Sequence, residues 1–223
     1  MIFRNRREAG ELLAQEILRR FDGQLINPVV VAIPRGGVVV AEPIAEALGA
    51  PIDLVFPRKI GAPFNEEVAV AAVTEDGTIL LNPDIPPPVA ARLGITEEYI
   101  RQKALEELAE IERRKRKYLA GLKRIPKEGR DVILVDDGIA TGLTVKAAIA
   151  SLRKENPRRI ILAVPVMPAD RVAEFKNLVD ELVVLYAPEN FSAVGQFYYD
   201  FSQTSDEEVI EILRRNRASV EEE

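Results

Sequence analysis

The stretch VILVDDGIATGLT, Val132 to Thr144, decides how this chain is read. Val132 to Val135 form a continuous aliphatic run of the kind that fills a strand buried on both faces. That run ends on two adjacent aspartates, Asp136 and Asp137. A helical pattern then opens near Gly142, so the Thr141 and Thr144 hydroxyls stand beside the free N–H groups of a helix N-terminus, a ready anion site. A buried carboxylate without partners is costly, so adjacent ones at a strand end need hydroxyl donors, cations or a ligand. Sugar hydroxyls and a metal ion would both serve. The plainer reading has one aspartate capping the loop amides and the other facing solvent.

Working outward, the pattern repeats. RRIILAVPV precedes a helical segment at 168–179, and DELVVLY leads through an aromatic segment to a final helix at about 205–217. Upstream, helical spacing of Ala9, Leu12, Leu13, Ile17 and Phe21 predicts a helix over 5–21. PVVVAIP and PIDLVFP read as strands flanking a helix from Val38 to Leu48, and VAVAAV and TILLN flank TEDG as a hairpin. NPDIPPP breaks the pattern. The longest helix spans 96–122, with Glu97 and Glu98 in its first turn and RRKRK (113–117) near its end, a distribution that suits the helix dipole. Aliphatic strands alternating with helices define an α/β fold: a three-layer, doubly wound, mostly parallel sheet. We expect one domain, 1–223, with 57–125 as an excursion holding a hairpin and the long helix.

The chain contains neither cysteine nor histidine. Thiol catalysis, disulfide frameworks, Ser-His-Asp triads and zinc-histidine sites are thereby excluded. Chemistry must run on carboxylates, Lys/Arg, hydroxyls, backbone amides or an oxygen-ligated metal such as Mg²⁺. High charge and 15 prolines hint at a thermophilic source. The N-terminus is an amphipathic charged pattern without a signal-peptide apolar core, so a cytoplasmic location is expected. No apolar run approaches a membrane span. A net charge of −6 argues against nonspecific nucleic-acid binding, and the 113–117 run reads as a solvated helix end.

A second strand end also carries unusual chemistry. In VAIPRGG, Pro34 fixes the backbone, Gly36 and Gly37 open conformations closed to other residues, and Arg35 offers a planar fork for phosphate oxygens. A plain strand-to-helix turn with a solvent-facing arginine is the alternative. Neither a dinucleotide GxGxxG nor a Walker GxxxxGK[ST] motif occurs. Phosphatases of the haloacid dehalogenase type need two acids separated by one residue; here they are contiguous.

A hydrophobic strand, two acids, three variable residues and Thr-Gly-x-Thr resemble the PRPP-binding signature of type I phosphoribosyltransferases, PRPP being 5-phosphoribosyl 1-diphosphate. IPRGG resembles that family's pyrophosphate loop, and the likeness spans most of Val29 to Tyr186. RKIGAP and AVGQFYYDFSQ resemble, in particular, a bacterial and archaeal group of predicted phosphoribosyltransferases.

The resemblance implies that Asp136 and Asp137 hold the ribose hydroxyls directly or through Mg²⁺, and that Ala140, Thr141, Gly142, Leu143 and Thr144 wrap the 5-phosphate. Arg35, Gly36 and Gly37 would bind pyrophosphate in a loop that in this family often holds a non-proline cis peptide. Arg58 and Lys59 resemble basic residues touching the leaving group, and Ile60 to Thr78 corresponds to a mobile loop. Asp137, Arg35 and Lys59 are thus the catalytic candidates, with Asp137 a candidate proton acceptor. Five of the 13 aromatics lie between Phe191 and Phe201. At least three should pack in the core, with Phe191 and Tyr198 left as stacking candidates for a nucleobase acceptor. No lysine matching that of the family's purine enzymes can be placed. A PRPP-sensing, RNA-binding regulator and a ribose-phosphate phosphotransferase or hydrolase are the other readings, and the long helix offers a face for a homodimer or a lid.

Overall fold

The computed structural model describes residues 1–221, so the last two positions of the expected 1–223 domain lie outside the described residues. Five strands form one parallel sheet: β1 (Val29–Ala32), β2 (Ile52–Leu54), β6 (Asp131–Val135), β7 (Arg159–Val166) and β8 (Glu181–Tyr186), ordered β2-β1-β6-β7-β8. Between β2 and β6 the chain builds a second, antiparallel sheet from β3 (Arg58–Ala62), β4 (Asn65–Val73) and β5 (Ile79–Leu81).

The unbroken aliphatic strands divide their side chains by the period of two. Val30, Ala32, Ile133, Val135, Ile161 and Ala163 face a layer made by α1 (Arg6–Phe21) and α2 (Gly36–Leu48), which contribute Leu13, Ile17, Val40 and Ile44. Val29, Val31, Val132, Leu134, Ile160 and Leu162 face the other layer, where α5 (Leu143–Arg153) and α6 (Val172–Leu178) bring Val145, Ile149, Leu152 and Phe175. Each buried Val, Leu or Ile contributes roughly 1.5–3 kcal/mol relative to exposure, so three layers follow from the sequence pattern. Asn5 caps α1 by accepting from the Glu8 amide at 2.9 Å, which sets where that helix begins.

The free edge of β2 is covered by α7 (Asp206–Glu221). Asn216 accepts from the Ile52 amide at 2.8 Å and donates to the Ala50 carbonyl at 3.0 Å, taking the place of a neighbouring strand.

Two local expectations change. The proline cluster ends in a short helix, α3 (Pro87–Arg92), because proline is tolerated in a first helical turn. The 168–179 helix is divided into a single 3-10 turn (Ala169–Arg171) and α6. The Ile60–Thr78 region folds into antiparallel hairpins, and the Tyr99 hydroxyl donates to the Gly61 carbonyl at 2.6 Å. Tyr99 belongs to α4 (Glu97–Tyr118), whose buried Ala104, Ile111 and Tyr118 join the core that contains Phe56, Ile60 and Val70.

Candidate active site

Strand order reverses direction between β1 and β6, and ligands of open parallel sheets gather outside the carboxyl ends at such a point. Ala32 pairs with Val135, so the loops leaving the two strands emerge side by side. One carries Arg35, Gly36 and Gly37; the other carries Asp136 and Asp137 and continues through Ala140 and Thr141 into α5.

The contact between these loops explains the glycines. A Cβ on Gly36 would lie 2.3 Å from Asp137 Oδ2, and one on Gly37 would lie 3.0 Å from the Val135 carbonyl oxygen. Both residues are helical, within α2, so close approach rather than an unusual backbone conformation demands glycine. This corrects the conformational reason expected from sequence. The Pro34–Arg35 peptide is cis, a feature that the resemblance implies for this loop.

Asp136 and Asp137 are both half-buried. Asp136 Oδ1 accepts from the Asp137 amide at 2.8 Å, and among the described residues no Lys or Arg lies within ion-pair distance of it. Burial, and then the neighbouring Asp137 charge, push the Asp136 carboxyl well above the ordinary carboxylate range. Burial also raises Asp137, opposed by Arg6, whose Nε donates to Asp137 Oδ2 at 3.0 Å. The pair therefore has one cation for two acids. Two hard oxygen donors with an uncompensated charge fit a magnesium ion, which commonly takes one or two carboxylates and completes its shell with water and substrate phosphates.

Downstream, Gly142 takes φ 90° at the start of α5, a conformation that favours glycine, and a Cβ there would also meet the Phe175 ring at 2.5 Å. The helix has no side-chain N-cap, which leaves its first amides to an outside acceptor. Thr141 is exposed, Thr144 half-buried and Leu143 buried in the core, so Leu143 can offer a ligand only its backbone.

Of the leaving-group candidates, Arg58 and Lys59 line a cleft of about 660 Å³ with Pro34 and Thr144 and with Tyr99 and Arg114 from α4, whereas Arg35, Gly36 and Gly37 are not part of its lining. Asp136 and Asp137 lie outside its lining. Each proposed cation has a carboxylate partner: Arg58 Nε is 2.8 Å from Glu107, Lys59 Nζ 3.6 Å from Glu67, and Arg35 3.7 Å from Asp206. Asp206 also accepts from Tyr118, whose hydroxyl is pushed up to about 12 by burial and by that acid.

One of the two stacking candidates, Tyr198, is corrected. Tyr198 is 6% exposed, its ring lies between Phe3 and Phe201, and its hydroxyl donates to the Asp137 carbonyl at 2.6 Å. It braces the acid pair from below and presents no ring face to a ligand. Phe191 is half-buried and stacked on Phe197 at 5.2 Å. Tyr199, at 77%, is the most exposed ring of the segment. Sequence reading missed Arg6 altogether. Its only signal was an arginine in the first helical turn, where the dipole disfavours a cation.

In the basic run, Arg113 and Arg114 pair with Glu110, Lys115 with Glu75 and Lys117 with Asp206. The run is largely neutralised within the protein. No helix of the described residues is long and apolar enough to cross a membrane.

A parallel sheet with an acid pair and an uncapped helix at its switch point defines an α/β protein whose ligand edge lies outside the carboxyl ends of its strands. The sequence profile of the phosphoribosyl transferase domain matches residues 2–202. Two Mycobacterium tuberculosis proteins, named provisionally as phosphoribosyl transferases, are 42% identical over 217 residues, 96% of this chain and 47% of theirs. The chain thus spans about half the length of these relatives. It superposes on the crystal structure of TT1426 from Thermus thermophilus with a TM-score of 0.79 at 39% identity, covering 96% of this chain and 99% of that one. The chain belongs to the phosphoribosyl transferase family.

Proposed function

We propose that residues 1–223 act as one domain that moves ribose 5-phosphate from PRPP to an acceptor, a nucleobase by class, and releases pyrophosphate. The observation that carries this reading is the meeting of two loops at paired strand ends, one acidic beside an uncapped helix and the other arginine-bearing. Membership of the phosphoribosyl transferase family supports it.

In this reading the sugar hydroxyls satisfy Asp136 and Asp137, and the Ala140–Thr144 amides and hydroxyls receive the 5-phosphate. The C1–O bond to pyrophosphate breaks as a bond from the acceptor nitrogen forms. Positive charge grows on the ribose and negative charge on the leaving group. Arg35, Arg58 and Lys59 stabilise the departing oxygens, the electrostatic type of catalysis. The acceptor's proton passes to a base, for which Asp137 is our candidate. Mg²⁺, held by Asp136 and Asp137 directly or through water, would neutralise further charge on the PRPP oxygens. The described hairpins and α4 are positioned to exclude water from the cleft.

The test is pyrophosphate release from Mg²⁺ and PRPP across a panel of nucleobases. Base-dependent release is the expected result. Tight RNA retention without turnover of any base would overturn the transferase reading in favour of a regulator.

A further inference from the structure

We propose that Arg6 is a positioning residue that fixes Asp137 so that one of its carboxylate oxygens stays available to the sugar. This inference rests on the acid pair being the ribose-hydroxyl site.

Three distant parts of the chain meet at Asp137. Arg6, the first residue of α1, has a side chain only 12% exposed, and its Nε donates to Asp137 Oδ2 at 3.0 Å. Arg6 Nη1 donates to the Ser202 carbonyl at 2.6 Å, and Cζ lies 4.0 Å from the Phe201 ring centroid. The guanidinium is thus held by a carbonyl and a ring face before it reaches the carboxylate, and its planar fork suits such shared duty. Gly36 completes the enclosure, since a Cβ there would sit 2.7 Å from Arg6 Nε.

The frame behind Arg6 is equally specific. The Phe3 amide donates to the Phe197 carbonyl at 2.8 Å, the Tyr199 amide to the Phe3 carbonyl at 2.9 Å, and the Asp200 amide to the Arg4 carbonyl at 2.9 Å. The Tyr198 hydroxyl then reaches the Asp137 carbonyl. The segment 3–6 and the segment 197–202 are zipped together and grip the second acid at both its backbone and its side chain. Among the described residues Asp136 has no cation partner, and its Oδ1 accepts from the Asp137 amide at 2.8 Å. The structure therefore assigns the two acids different tasks: Asp137 is pre-oriented with Oδ2 committed to Arg6, while Asp136 is left for hydroxyl or cation. Pre-orientation of this kind favours binding by reducing the ordering needed when the ligand arrives.

The test compares ligands that share the phosphate and differ in the sugar. Calorimetry on the full chain with Mg²⁺ would measure PRPP and, separately, inorganic phosphate, for wild type, Arg6→Lys and Arg6→Ala. For Arg6→Ala we expect PRPP affinity to fall by ~10- to 100-fold, the range for one charge-assisted hydrogen bond, with phosphate affinity unchanged. Arg6→Lys, or methylguanidinium added to Arg6→Ala, should restore part of the PRPP affinity. Equal losses for PRPP and phosphate, or no rescue, would show a merely structural role and overturn the proposal, as would a PRPP affinity equal to wild type. Arg6→Lys, which keeps a cation beside Asp137, supplies a second variant should Arg6→Ala not fold; equal losses of PRPP and phosphate affinity in it would also overturn the proposal. If wild type itself does not bind PRPP, the reading of the acid pair fails rather than the role of Arg6 alone, so the two failures are distinguishable.

Discussion

The two ends of β6 carry acids in opposite circumstances. At the amino end, Asp131 is fully buried, accepts from Arg158 Nη1 at 2.8 Å and from the Ile26 amide at 2.7 Å, and has Arg159 Nε at 3.1 Å. At the carboxyl end, five residues later, Asp136 and Asp137 share one arginine between them. One strand therefore shows both solutions to burying a carboxylate: complete internal pairing, which serves the fold, and incomplete pairing, which leaves room for a ligand. The same contrast holds for Asp53 on β2, where burial raises the carboxyl but Lys127 and Arg124 outweigh it and hold it below its ordinary value.

The comparison breaks most visibly at the amino end. Asp131→Ala leaves the half-buried Arg159 without its carboxylate and the Ile26 amide without its acceptor, and should destabilise the protein by about 3 kcal/mol in denaturant titration. PRPP affinity measured on the folded fraction should be unchanged, because the ligand edge lies at the other end of the strand.

At the carboxyl end the sign should reverse. Asp136 is raised in the folded state, so its ionisation opposes folding; the penalty is complete above the folded pKa and is lost progressively as pH falls from there towards the unfolded value. Asp136→Asn should therefore stabilise the ligand-free protein at neutral pH by roughly 1–3 kcal/mol, the cost of an uncompensated buried polar group. The gain should shrink as pH approaches the ordinary carboxylate range near ~4. Thermal melts at several pH values check both statements, and a destabilised neutral variant would show that Asp136 serves the fold as Asp131 does.

The smallest effect sharpens the picture beneath Asp137. Tyr198→Phe removes one hydroxyl from a buried site and should cost about 0.5–1.5 kcal/mol in the same melts. No loss would mean that the hydroxyl is as well satisfied by water as by the Asp137 carbonyl.

The contrast also separates what sequence reveals from what it hides. The parallel sheet was legible because continuous aliphatic runs admit little besides doubly covered strands. The acid pair and the turn into α5 were legible because their residues are contiguous and lie on one strand-to-helix connection. Arg6 was not, since its partner lies 131 positions away and no local pattern marks that contact. Tyr198 was misread for a related reason: an aromatic cluster does not say which ring faces a ligand and which packs inward, and here the reach of 61 positions to Asp137 decides it. Strand β3 was hidden by its composition, because Arg58, Lys59 and Gly61 break the aliphatic signal and the strand carries register shifts around Gly61.

We infer that the carboxyl end of β6 is left incompletely paired so that a ribose-bearing ligand completes it. Titrating Mg²⁺ and PRPP by calorimetry into wild type and the double variant Asp136→Asn with Asp137→Asn tests it most directly. The account predicts measurable binding to wild type and none to a folded double variant; equal affinity in both would contradict it.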